Sequence, residues 1–69
     1  EQAIEMMSYL ISIYPDSEFH YYYLGTLFQK SENFDAAKSN FNKALEINPE
    51  YEAAKQALVK LNKAEILTN

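Results

Sequence analysis

The chain has 69 residues and a net charge of −4, from ten acids against six lysines with no arginine, so it lacks the basic face that a phosphate backbone requires and is not expected to bind nucleic acid. The absence of cysteine removes disulfides, thiolate chemistry and the common zinc sites, and one glycine with two prolines is too few turn residues for a β-rich fold. Hydrophobic residues at 48% with 23% charged mark a globular rather than a disordered chain, but a chain this short buries only roughly 60% of its unfolded surface, so its core is marginal.

The first element is a helix near residues 1–14. It begins at Glu1 rather than at a methionine and is already helical in pattern, which reads as a piece of a longer polypeptide. Its most apolar stretch, Tyr9 to Tyr14, is far too short for a bilayer, nothing resembles a signal peptide, and no membrane partner is expected; the compartment stays open. Apolar side chains span roughly 220° of its wheel, against the about 100° needed to face one core. Ala3, Met7, Leu10 and Tyr14 are expected to pack on the second helix, while Glu1, Glu5, Ser8 and Ser12 form the polar strip. Ile4, Met6, Tyr9 and Ile13 need another cover, either an upstream helix or a second copy of the chain. They are the candidates for self-association, with a homodimer as one outcome.

Pro15 ends this helix, and Asp16 or Ser17 can cap the next by accepting from its free N–H groups. The second helix, near 17–31, contains FHYYYLGTLF, three consecutive tyrosines beside the only glycine. Neighbours on a helix point about 100° apart, so these rings cannot share one buried face. Tyr21, Leu24, Gly25 and Phe28 form the core face, and Gly25 admits close approach by another helix despite costing about 1 kcal/mol relative to alanine. Phe19, Tyr22, Tyr23, Thr26, Gln29 and Lys30 occupy the opposite arc. They pack on a neighbouring helix or face a ligand. Residues 31–33 make a turn with Asn33 as cap, and a third helix follows near 34–47 with Ala37, Phe41, Ala44 and Leu45 inward. Pro49 ends it, and Glu50 and Glu52 suit the positive start of a fourth helix near 51–66. Short joints make successive helices antiparallel.

A shift of 34 residues superimposes these segments: Ala3 falls on Ala37, Ile13 on Ile47, Pro15 on Pro49, Leu24 on Leu58 and Leu27 on Leu61. That period with two helices per unit is a helical repeat. Tyr21, Leu24–Gly25, Phe28, Phe34, Ala37, Phe41, Ala44 and Pro49 follow the aromatic, Leu-Gly, aromatic, alanine, aromatic, alanine, proline order of the tetratricopeptide repeat, which the chain resembles along its whole length. The resemblance implies a right-handed superhelix of antiparallel helix-turn-helix units. Residues 1–16 would be the second helix of a preceding repeat, 17–50 a complete repeat, and 51–69 a further or capping helix, since Lys55 and Val59 stand where the aromatic and the glycine belong.

The resemblance also places the arc from Phe19 to Lys30 in a concave groove, faced by Gln56, Lys60 and Lys63 of the last helix. Tyrosine suits such a wall because it offers rigid area and a polar tip. The lysine–asparagine carboxylate clamp of the family would fall on Tyr22, Thr26, Ala53 and Ala57, and none matches, so no clamp of that type is expected. The implied function is protein–protein interaction with a peptide segment of apolar and acidic character. The alternative is a structural or self-assembling segment acting through the first helix. No catalytic, cofactor or metal site is expected: His20 is the only histidine, Glu1/Glu5 and Glu50/Glu52 follow helix-start logic, and one glycine cannot build a phosphate loop.

Overall fold

The computed structural model describes residues 2–68, with side chains to residue 63; Glu1 and Asn69 lie outside the described residues. Four helices follow in order: α1 Gln2–Ile13, α2 Glu18–Lys30, α3 Phe34–Ile47 and α4 Glu52–Thr68. The bounds of α3 are those expected, and the other helices differ by one or two residues at their ends. The fold is an all-α helical repeat.

Local chemistry sets the joints. Asn33 caps α3, its side chain accepting from the Ala36 N–H at 3.4 Å. Ser17 takes the N-cap place of α2, yet its side chain makes no cap bond, so that expectation is corrected: its backbone engages instead, the carbonyl accepting from the Tyr21 N–H and the N–H donating to the Tyr14 carbonyl. Helix α2 ends in a left-handed residue, Glu32 at φ 62°, with the Asn33 N–H donating to the Phe28 carbonyl at 2.9 Å and the Glu32 N–H to the Gln29 carbonyl at 3.0 Å. These two bonds satisfy carbonyls that the last turn leaves open and reverse the chain in three residues. At the other corner Asn48 accepts from the Glu50 N–H at 3.1 Å and donates to Glu18 at 3.2 Å. That second bond ties the end of α3 to the start of α2 and fixes the pair as antiparallel.

Among the residues whose side chains are described, the buried ones are Met7, Leu24, Gly25, Ala37, Phe41, Ala44, Ala54 and Leu61. Phe41 lies at the centre, with Ala37 and Leu61 beside it and Tyr22, Phe28, Phe34, Ala57 and Leu58 packed around them. A Cβ at Gly25 would lie 2.6 Å from Phe41 Cε1, so the glycine makes room for a ring rather than for a backbone. Tyr21, expected in the core, is only half-buried.

Helix α1 is corrected most. Met7 is buried and Ile4, Leu10 and Ile11 are half-buried, whereas Ala3 and Tyr14 are exposed. The packing face is turned toward Ile4, which leaves the group expected to be uncovered. Met6, Tyr9 and Ile13 do stand out in solvent, at 65%, 64% and 46% exposure.

Candidate interaction cleft

Helices α2 and α4 both pack on α3 while making little backbone contact with each other. Between them runs a cleft of about 280 Å³, walled by Tyr22, Thr26 and Gln29 of α2 and by Ala53, Gln56, Ala57 and Lys60 of α4. The two alanines give it depth, because a bare methyl on one wall leaves the opposite side chains unopposed. Five residues singled out from sequence thus meet here: Tyr22, Thr26, Gln29, Gln56 and Lys60.

The two ends of the cleft differ in chemistry. Near the start of α2, the Tyr22 ring lies 5.7 Å from that of Phe41 and 5.4 Å, edge to face, from that of Tyr51. Phe19, though 64% exposed, meets the other side of Tyr51 at 5.5 Å in the same manner. These separations are those of favourable aromatic pairs. Burial, then the nearby Tyr22 and Glu18, push the Tyr51 hydroxyl above its usual range. Tyr51 carries no signal in the repeat pattern, since a 34-residue shift sets it against Ser17, and sequence reasoning missed it.

Toward the other end the lining is amide and ammonium: Gln29, Gln56 and Lys60. Lys63 lies beyond, in a shallower depression of about 300 Å³ along α4 with Glu52, Lys55, Gln56, Val59 and Lys60. Lys55 is held by Glu50 at 3.8 Å, whereas no carboxylate among the described residues pairs with Lys60 or Lys63. The Thr26 hydroxyl is already committed, donating to the Tyr23 carbonyl at 2.6 Å, and offers the cleft only its lone pairs.

Tyr23 and Lys30 are not brought into the cleft; both are exposed. The residue one repeat on from Tyr23 is Ala57, which lines the cleft from the α4 wall and so looks back toward α2. Tyr23 therefore looks away from the cleft, into solvent. His20 is half-buried against the Tyr14 ring at 6.0 Å, with its Nδ1 buried and unbonded.

The sequence profile of the Tetratricopeptide repeat family matches residues 20–51. Those residues are a tetratricopeptide repeat. No curated protein and no solved structure matches the chain. Within the repeat α2 is the first helix and α3 the second, so the cleft lies between the first helix of the repeat and α4. Tyr22, Thr26, Ala53 and Ala57, the carboxylate-clamp positions named by the resemblance, all line it, with none of the clamp's chemistry. Tetratricopeptide repeats are in general protein–protein interaction modules without catalytic chemistry. Among the described residues no histidine and acid cluster could hold a metal, and no helix is long and apolar enough to cross a membrane.

Proposed function

We propose that the α2/α4 cleft binds a peptide segment of a partner protein, one that places an apolar side chain at the aromatic end and a carboxylate at the lysine end. The observation that carries this reading is the lining of the cleft, with the Tyr22 ring, backed by Tyr51, as its aromatic part and Gln29, Gln56 and Lys60 as its amide and ammonium part. Tyr22 and Gln29 are two turns apart, about 10 Å along the axis. An extended peptide covers that in about three residues, so the motif is an apolar residue and an acid three positions apart. Residues 1–16, 17–50 and 51–69 retain, on this reading, the roles of second helix, complete repeat and further or capping helix.

Tyr22 packs on Phe41, so truncating it removes core contacts as well as a cleft wall and cannot separate binding from folding. Lys60 is exposed and does separate them. Fluorescence anisotropy with short labelled peptides, leucine or phenylalanine placed three residues from glutamate, measures the affinity. Lys60→Glu is expected to weaken binding by about fivefold, about 1 kcal/mol, and to leave the melting temperature in place. Equal binding by both proteins, or none up to millimolar peptide, refutes the cleft assignment.

A second reading has its own observation. The exposed Met6, Tyr9 and Ile13 make α1 a surface for self-association.

A further inference from the structure

The 34-residue interval allows each helix to be compared with its counterpart. Ala37 is fully buried and Asn40, Ile47 and Asn48 are half-buried, whereas Ala3, Met6, Ile13 and Tyr14, one repeat earlier, are exposed. Apart from Met7 and Leu10, the counterparts of Phe41 and Ala44, which are already covered, helix α1 therefore bares positions that α3 covers. On the other pair, Gly25 is buried and Phe28 half-buried, whereas Val59 and Asn62 are exposed. Helix α4 bares the face that α2 turns to α3. The two uncovered faces are the two halves of a contact the molecule already makes once.

We infer that copies of this chain associate head to tail, α1 of one copy lying antiparallel on the outer face of α4 of another, as α3 lies on α2. This inference rests on the reading of α1 as a self-association surface and names what covers it. Charge favours the arrangement over a pairing of α1 with α1. Every lysine falls within residues 30–63, and α1 has Glu5 with no lysine, so two α1 helices set acid against acid. The α4 depression offers Lys60 and Lys63 against the single acid Glu52, Lys55 being held by Glu50. The bond from Asn48 to Glu18 recurs one repeat on as Tyr14 of one copy over Glu52 of the next. Val59 occupies the place of Gly25 and forbids the same depth of approach, but Met7, the counterpart of Phe41, is already buried and sends no ring toward the neighbouring copy. Helix axes at an ordinary spacing of about 8–10 Å accommodate that exchange. Each copy keeps one free end, so growth is open rather than closed at two.

Sedimentation velocity from low micromolar to near-millimolar protein tests this, with Met6→Lys blocking the head and Val59→Glu blocking the tail. Both positions are exposed, and circular dichroism checks that each variant stays helical. The expected result is wild-type protein growing past dimer, each variant alone remaining at 8.0 kDa, and an equimolar mixture of the two forming a species of twice that mass and nothing larger. Val59→Glu associating like wild type, with no new species on mixing, overturns the head-to-tail inference and leaves association through α1 standing. A wild-type monomer at all concentrations overturns both.

Discussion

Gly25 is fixed by one ring. Phe41 is fully buried, and three of its ring carbons lie within 3.1 Å of where a Cβ on Gly25 would stand. Because the ring is enclosed, it cannot swing aside, and any side chain at 25 must part α2 from α3. Alanine would gain about 1 kcal/mol of helix propensity against overpacking of about 1–3 kcal/mol; leucine adds bulk with no comparable gain. Gly25→Leu is therefore expected to lower stability by about 1–3 kcal/mol, and Phe41→Leu in the same background to recover part of the loss. Thermal melts of the two single variants and the double variant check this, and an unchanged melting temperature for Gly25→Leu rules out the close crossing. The glycine was legible in the sequence because nothing else explains one in mid-helix. The ring it accommodates was not, since the repeat pattern says which positions are inside but not which side chain fills which gap.

At the scale of elements, punctuation was legible and facing was less so. Pro15, Asn33 and Pro49 bound the helices as expected, because capping and proline sterics act within a few residues. Which arc of α1 packs, and that Tyr23 and Lys30 turn from the cleft while Tyr51 backs the Tyr22 ring, depend on how neighbouring helices lie, which no local rule contains. The end of α2 carries a further consequence of local chemistry. Glu32 sits in the left-handed region at φ 62°, where a Cβ costs about 1 kcal/mol, and its carboxylate lies beside the negative end of the helix. Its side chain is exposed. Glu32→Gly keeps both reversing bonds while removing the strain and the charge. The expected outcome is a gain of about 1 kcal/mol, read as a higher urea midpoint at constant slope. A loss of stability there would mean that the carboxylate holds the turn.

Over the whole molecule, stability is distributed by neighbour contacts, as in any stack of repeats. Helices α2 and α3 are each covered by neighbours on two sides, and their contact is the most extensive. Helix α1 rests on α2 through Met7 with Ile4, Leu10 and Ile11, and α4 on α3 through Ala54 and Leu61 with Ala57 and Leu58. Each outer helix thus leaves a face uncovered; α1 can detach without disturbing the ring of Phe41 against Gly25, whereas detaching α4 takes Leu61 from beside that ring. Opening free energies should then fall from the centre outward rather than share one global value. Native-state amide exchange measured at low micromolar concentration, where copies are separate, is expected to show the strongest protection at residues 24–28 and 41–45 and weaker protection throughout α1. At high concentration α1 and α4 should gain protection together if their bare faces meet between copies, while α2 and α3 change little. Uniform protection across all four helices would show instead that the chain opens only as a single unit, and that its outer helices are held as firmly as its centre.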